Sequence, residues 1–162
     1  MRNKLFFMLA LPLIFAACKK SNECPYTMTT TVAPAAEVAN LKMYLDTNAL
    51  PYTQHPSGIF YQVITPGSGA VPGVCSNLTV KYKGQLTNGA GFDSSYQRFP
   101  DGIAFTLGEL IPGWQIGIPL IQKGGSIILY IPPTLGYGSR GNGPLVPGNS
   151  NLVFKIDLLN VQ

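Results

Sequence analysis

The strongest constraint on the fold is a β-hairpin pattern in the middle of the chain. Val80–Tyr82 alternates apolar and charged residues, as a half-buried strand does. Asn88–Gly89 is the residue pair preferred in two-residue hairpin turns. A second strand should therefore return through Phe92 towards Asp93, which would bring one ring and one carboxylate back beside the first strand. This pairing predicts a candidate site at the hairpin.

Turns rich in Gly and Pro separate further short runs of β-branched and aromatic residues. Strands are predicted at residues 59–65, 78–85, 91–94, 103–107, 126–131 and 152–161. Pro112 suits the start of a helix around Trp114, and Pro119 should stop it early because the residue before a proline avoids the helical conformation. We therefore predict an α+β fold in which an antiparallel, half-wrapped β-sheet covers this short helix.

An additional helix is predicted before the sheet, at residues 35–50. Pro34 suits its start. The apolar residues that follow have helical spacing and are Val38, Leu41 and Leu45, with Tyr44 beside them. We expect this helix to pack on the domain through that stripe, and a helix that binds a partner protein is the alternative.

The first 17 residues have the features of an export signal. A basic start precedes an apolar run, residues 5–15, that is too short to span a bilayer. Ala16–Ala17 end the run in small residues, and Cys18 follows directly. This junction resembles a bacterial lipobox, in which the cysteine becomes the lipid-modified first residue of the mature protein. The alternative is an ordinary secretory signal with a chance cysteine.

Residues 18–34 are polar and Thr-rich, and we expect them to form a tether between the lipid and the domain. Lys19–Lys20 does not resemble the aspartate associated with inner-membrane retention, so the outer membrane of the bacterial envelope is favoured. Without residues 1–17, nine Lys and Arg face seven Asp and Glu. No basic cluster suggests nucleic-acid binding.

Cys24 and Cys75 remain as a pair in an exported, oxidising setting, where a disulfide bridge is expected. Two free thiols are the alternative. The two cysteines and His55, the one histidine of the chain, are too few for a zinc site, which needs four ligands. No metal and no cofactor are predicted.

The sequence contains no conventional catalytic set. His55 lies alone in a turn and is expected to be a solvent-exposed loop residue. Ser94–Ser95 has no nucleophile motif around it. Asp101 and Glu109 are interpreted as solvated acids, and the Gly-rich stretches lack the spacing of a phosphate-binding loop. Hydrolysis, phosphoryl transfer and redox chemistry therefore have no support.

Several aromatic residues instead lie near Gly- and Pro-rich turns, where any single ring is more simply explained as core. Their order and neighbours resemble the FKBP-type peptidyl-prolyl cis-trans isomerases from about Gly58 to Val161. The similar segments are Val-Lys-Tyr-Lys-Gly (80–84), Asn-Gly and Phe-Asp-Ser-Ser (88–95), Phe-Thr-Leu-Gly (105–108), Leu-Ile-Pro-Gly-Trp (110–114), Ile-Pro-Pro and Gly-Tyr-Gly (131–138), Leu-Val-Pro (145–147) and Leu-Val-Phe-Lys-Ile-Asp-Leu (152–158).

The resemblance implies an isomerase domain at residues 51–162 with an apolar pocket for proline. Its predicted catalytic residues are Tyr82, Phe92, Asp93, Trp114 and Tyr137, with Trp114 as the floor and the Tyr137 hydroxyl bonding a substrate carbonyl. Its predicted substrate-binding residues are Phe105, Leu110, Ile111 and Val146. Leu135 and Asn142 depart from the Tyr and His common in the family, which we expect to alter substrate preference and macrolide affinity.

The expected function is therefore acceleration of X–Pro isomerisation in the folding of exported proteins. Proline-containing polypeptides are the expected partners, with macrolide inhibitors as further ligands, and the chain is expected to be a monomer. Rotation about the bond needs neither a base nor a nucleophile, so the absence of a catalytic set agrees with this function. A binding module or chaperone that holds Pro-containing segments without turnover is the alternative.

Overall fold

The computed structural model describes residues 23–162. The predicted signal peptide, Cys18 and the start of the predicted tether lie outside these residues. Within them, no helix combines the length and the apolar character needed to cross a membrane.

The described chain contains two α-helices and seven strands. They are α1 (Ala35–Thr47), β1 (Thr53–Gln54), β2 (Phe60–Thr65), β3 (Asn77–Leu86), β4 (Gly91–Ser94), β5 (Ile103–Thr106), α2 (Pro112–Gly117), β6 (Ser126–Ile131) and β7 (Leu152–Val161). Single 3-10 turns lie at Leu107–Glu109, Ile118–Leu120, Pro133–Leu135 and Gly138–Arg140. The predicted strands and both helices are thus present, and the short strand β1 lies in a passage that was predicted to be turns.

The strands form one antiparallel sheet in the order β1-β2-β6-β7-β3-β4. The long strand β3 pairs with β7 along one edge, from Leu78 to Leu86. Its other edge is shared, because β5 pairs with its first half and β4 with its second half. β7 lies between β6 and β3, which explains why its apolar residues are almost continuous.

Each face of the sheet is covered by one helix. On one face, Trp114 and Ile118 pack against strand residues such as Leu129 and Phe154. On the other face, Leu41 and Leu45 of α1 pack against Phe60, Tyr130 and Val153, which are paired with one another across β2, β6 and β7. Successive strand residues point to opposite faces of the sheet, so Leu129 packs on the side of α2 and Tyr130 on the side of α1. The predicted α+β architecture and the packing of the N-terminal helix on the domain are confirmed.

Part of the predicted tether lies against the domain. The structure joins Cys24 to Cys75 in a disulfide, the pair expected from the sequence, with 5.7 Å between their Cα atoms. The Tyr26 hydroxyl donates a hydrogen bond of 2.5 Å to Glu109. The Ala33 amide donates a bond of 2.9 Å to the Ser57 carbonyl. Cys24, Tyr26 and Ala33 therefore contact the domain, as the expected bridge implies for Cys24.

Candidate functional site

The hairpin brings Tyr82 and Asp93 together, as its residue pattern predicts. Asp93 on β4 lies opposite Gly84 on β3. The Tyr82 hydroxyl donates a 2.5 Å hydrogen bond to Asp93 Oδ2. Arg98, in the loop after β4, donates to the other carboxylate oxygen and forms an ion pair with it. Asp93 is thus held from two sides at the rim of a concave site.

Gly84 is required by the close approach of two rings. A Cβ atom at this position would lie 2.6 Å from Phe92 and 2.7 Å from Phe154. The two rings also contact each other edge-on, with 5.4 Å between their centroids. A side chain at Gly84 would therefore displace the aromatic wall.

Trp114 forms the floor of the site. Pro112 occupies the first turn of α2 and leaves Trp114 in the middle of this short helix, where it is only 4 % exposed. Its ring meets Phe154 and Tyr82 edge-on, with centroids 5.1 and 5.3 Å away. Edge-to-face contacts of this kind orient the rings as well as bury them.

A cavity of about 170 Å³ opens above this floor. Its lining consists of Tyr82, Asp93, Phe105, Leu110, Ile111, Trp114, Tyr137 and Phe154. Seven of the nine residues predicted to act on or bind the substrate lie in this lining. The other two, Phe92 and Val146, line an adjoining cavity of about 200 Å³, which shares Asp93 and Tyr137 with the first. The structure therefore brings all nine to two adjoining cavities, while their individual roles stay predictions.

Two site residues were missed from the sequence. Phe154 lies in the last strand, where its apolar neighbours make it look like ordinary core, and only the pairing of β7 with β3 places it against Trp114. Arg98 is exposed in a loop and has no sequence signal of its own, since its importance comes from the position of Asp93 five residues earlier.

The two phenols of the site are held in their protonated form. Burial raises the pKa of Tyr82, and the hydrogen bond to Asp93 adds to the effect. Burial also raises the pKa of Tyr137, with a smaller opposing effect from the Asn142 amide and a further increase from the Asp93 charge. Both hydroxyl groups are therefore hydrogen-bond donors at neutral pH.

His55 and Ser95, which were considered as catalysts, form structural hydrogen bonds and do not line the cavities of the site. His55 is half-buried, not solvent-exposed as predicted, because its Nδ1 lies 2.9 Å from Ser57 Oγ and accepts the Ser57 amide in a tight turn. Ser95 is buried and its hydroxyl accepts the Tyr82 amide at 2.8 Å. Among residues 23–162, no group of three or more His, Cys, Asp and Glu is arranged to hold a metal ion.

Comparison with known proteins assigns the family. The family model for FKBP-type peptidyl-prolyl cis-trans isomerase matches residues 70–159, more than half of the chain. The chain belongs to this family. FkpA from Escherichia coli (strain K12), an FKBP-type peptidyl-prolyl cis-trans isomerase, is 45% identical over 106 residues, which are 65% of this chain and 38% of the relative. FK506-binding protein 1 from Dictyostelium discoideum is 41% identical over 106 residues, 65% of this chain and 99% of that protein.

Solved FKBP-type structures have the same fold. The crystal structure of Escherichia coli FkpA superposes with a TM-score of 0.70 at 41% identity and covers 79% of this chain and 60% of that chain. A peptidyl-prolyl cis-trans isomerase from Pseudomonas syringae gives a TM-score of 0.67 at 31% identity, over 82% of this chain and 98% of that chain. The resemblance to the family is confirmed, and the chain spans about two fifths of the length of the first curated FKBP-type relatives that it matches.

Proposed function

We propose that this chain is a peptidyl-prolyl cis-trans isomerase that accelerates rotation about X–Pro bonds in polypeptides. The observation that carries the proposal is the ring-lined cavity over Trp114, in a chain that belongs to the FKBP-type family. At about 170 Å³ the cavity is several times the roughly 30 Å³ that a water molecule occupies in the liquid, which is a suitable size for a small ring such as that of proline. A folded segment would not fit.

The chemistry needs no bond to be broken. Rotation about the X–Pro bond interrupts amide resonance across a barrier of about 18–20 kcal/mol. The twisted amide has less charge separation than the planar one, so an apolar cavity favours it more than water does. Tyr82, Phe105, Trp114 and Phe154 supply that surface. The neutral Tyr137 hydroxyl is the donor to a substrate carbonyl, which holds one side of the rotating bond in place.

An isomerisation assay tests this activity. A protease-coupled or refolding assay on an X–Pro substrate should show a rate well above that in buffer, and the rate should increase linearly with protein concentration. A rate no greater than that in buffer, with a proline peptide still bound, would overturn the proposal and leave the alternative, a module that binds Pro-containing segments.

The same cavity supports ligands beyond polypeptides. Its apolar walls and its rim, with the Tyr137 hydroxyl and the Asp93–Arg98 pair, suit macrolide ligands of the kind that the family binds. Competition between a macrolide and a proline peptide, followed through Trp114 fluorescence, would test this binding.

We further propose that the protein is exported and anchored through lipid on Cys18, as a monomer on the bacterial cell envelope with the outer membrane favoured. The lipobox-like residues 15–18 support the anchor. The disulfide between Cys24 and Cys75 supports an oxidising compartment. Labelling of cells with a radioactive lipid precursor should mark the wild-type protein and leave the Cys18→Ser variant unlabelled. Equal labelling of both would exclude Cys18 as the site.

A further inference from the structure

The segment that carries Tyr137 is a long loop without sheet pairing to the rest of the domain. This segment, residues 132–151, joins β6 to β7 and is called the Tyr137 loop below. Its interior is braced by its own backbone: the Asn149 amide donates to the Gly138 carbonyl and the Asn142 amide to the Val146 carbonyl, both at 2.9 Å. These bonds shape the loop but do not attach it to the sheet.

The first end of the loop is bound by α1. Glu37 Oε2 accepts the backbone amide of Thr134 at 2.9 Å, and Glu37 Oε1 accepts the Thr134 hydroxyl at 2.7 Å. Both carboxylate oxygens therefore hold one residue of the 3-10 turn Pro133–Leu135, which ends two residues before Tyr137. Bonds to an ionised acceptor are stronger than bonds between neutral groups.

The second end of the loop is bound by the same helix. Asn151 Nδ2 donates a 2.9 Å hydrogen bond to Asn40 Oδ1, one residue before β7 begins. Glu37 and Asn40 are three residues apart on α1 and therefore lie on the same face of the helix. Between them, the helix and the loop enclose a cleft of about 310 Å³. We call the two sets of bonds, Glu37–Thr134 and Asn40–Asn151, the loop clamp.

The clamp has a rigid support. Leu41 and Leu45 on α1 are fully buried against the sheet, in contact with Phe60, Tyr130 and Val153. A helix held in this way cannot shift without opening the core, so α1 gives the loop a fixed support in addition to its direct joins to β6 and β7.

We propose that Glu37 and Asn40 are positioning residues that hold the Tyr137 hydroxyl in place for substrate. Neither residue lines either cavity of the site, so both act through the loop. Leu135 and Val146 anchor the loop in the core, but most residues between 139 and 149 are exposed. Exposed stretches of this kind open locally at low free energy, and ordering one on binding reduces affinity. A clamp that orders the loop in advance removes that cost. The effect on substrate rests on the proposed isomerase function, whereas the ordering of the loop does not.

Hydrogen exchange tests the ordering without any need for activity. In Glu37→Ala, the amides of the Tyr137 loop should exchange at least about tenfold faster, as expected when both hydrogen bonds to the Glu37 carboxylate are lost, while those of β6 and β7 stay unchanged. Met43→Ala is the matched control. Met43 lies on the same helix, is 61% exposed and takes no part in the loop clamp. Unchanged exchange in the loop would overturn the inference.

A second variant guards against loss of α1 itself. Thr134→Val removes the hydroxyl donor from the loop side and leaves the helix intact. It should raise exchange in the loop in the same direction as Glu37→Ala, by a smaller factor, because the backbone bond to Glu37 remains. Loop exchange in Thr134→Val that is no faster than in the wild-type protein would count against the clamp.

A double-mutant cycle tests the action through Tyr137. Affinity for a proline peptide is followed through Trp114, the one tryptophan of the chain. Glu37→Ala should weaken binding about tenfold in the wild-type background, but less than about twofold when Tyr137 is already Phe, since residues that act independently show additive effects. Equal losses in both backgrounds would overturn the positioning role. A wild-type protein without isomerase activity would overturn only the proposed function, because hydrogen exchange still decides whether the clamp orders the loop.

Discussion

At the scale of residues, the candidate site and the hydrophobic core share the same side chains. Tyr82, Trp114 and Phe154 are each less than a tenth exposed, yet all three line the cavity. Edge-to-face pairs among aromatic rings contribute about 0.5–1.5 kcal/mol beyond their burial. The rings that would receive a proline therefore also stabilise one another, which leaves the cavity preformed in the absence of a ligand.

Truncation of Trp114 should affect both stability and turnover. Trp114→Ala is expected to lower the free energy of unfolding by about 3–5 kcal/mol and to reduce kcat/KM by more than about tenfold, because it removes the floor and its contacts. Trp114→Phe keeps a ring and should lose less of both. The measurements are urea unfolding and the isomerisation assay. Full activity of a folded Trp114→Ala protein would show that this ring is not the floor.

Activity should depend little on pH between about pH 7 and pH 9. Burial raises the pKa of Tyr82 and Tyr137 above the ordinary value of 10.0, so both stay protonated in this range. Because the folded protein favours the protonated phenols, both groups stabilise the fold below about pH 10. This contribution to the free energy of unfolding is lost as the pH rises through their raised pKa values. A kcat/KM profile with a limb near neutral pH would contradict this and indicate a titrating catalyst.

At the scale of elements, the position of Trp114 depends on how closely α2 approaches the sheet. A Cβ atom at Gly113 would lie 2.6 Å from Ile131 Cγ2, and one at Gly117 would lie 2.5 Å from Leu129 Cδ2. Ile131 and Leu129 are fully buried and have no room to move. The two glycines thus allow α2 to lie flat on β6, with Trp114 between them at the cavity floor.

Gly113→Ala should therefore destabilise the protein, although alanine is the better helix former by about 1 kcal/mol. The expected loss is about 1–3 kcal/mol, because the added methyl group meets the stiff, β-branched side chain of Ile131. Gly91→Ala is the control, since no atom lies within 4 Å of its Cβ position. Chemical unfolding should separate the two variants, and a more stable Gly113→Ala protein would refute the close packing of α2.

At the scale of the whole molecule, the N-terminal part of the described chain is a structural part of the domain. The disulfide from Cys24 to Cys75 spans 51 residues of sequence and encloses α1. Tyr26 packs over Gly108 and bonds Glu109, directly before the cavity residues Leu110 and Ile111. Residues that precede the sheet in sequence therefore contact two sides of the site. α1 contacts the Tyr137 loop, and Tyr26 contacts the turn before Leu110.

Removal of the disulfide should destabilise the protein by about 4 kcal/mol, the loop-closure value for a bridge over this separation. Cys24→Ser with Cys75→Ser should unfold at a lower denaturant concentration than the oxidised wild type, and reduced wild type should match the double variant. The comparison is made by urea unfolding with and without reductant. Equal midpoints for the oxidised and reduced proteins would show that the bridge adds no stability.

The sequence determined the elements and most members of the site. Residue alternation and turn pairs predicted β3, β4 and the other strands longer than two residues, and helical spacing predicted α1. The order of motifs along the chain indicated the family and pointed to seven residues of the main cavity. The strand and helix signals depend on neighbours a few positions apart, which is the range over which backbone periodicity acts. The family signal depends instead on the order of motifs from about Gly58 to Val161.

The tertiary structure alone decided which distant side chains meet. It placed Phe154 against Trp114 through the pairing of β7 with β3, and it placed Glu37 on Thr134 through the packing of α1. It also placed Tyr26 against Glu109 and Ala33 against Ser57, contacts that no local pattern indicated. Such contacts depend on strand register and on the face that a helix buries, and these follow from burial of the whole core rather than from any local pattern.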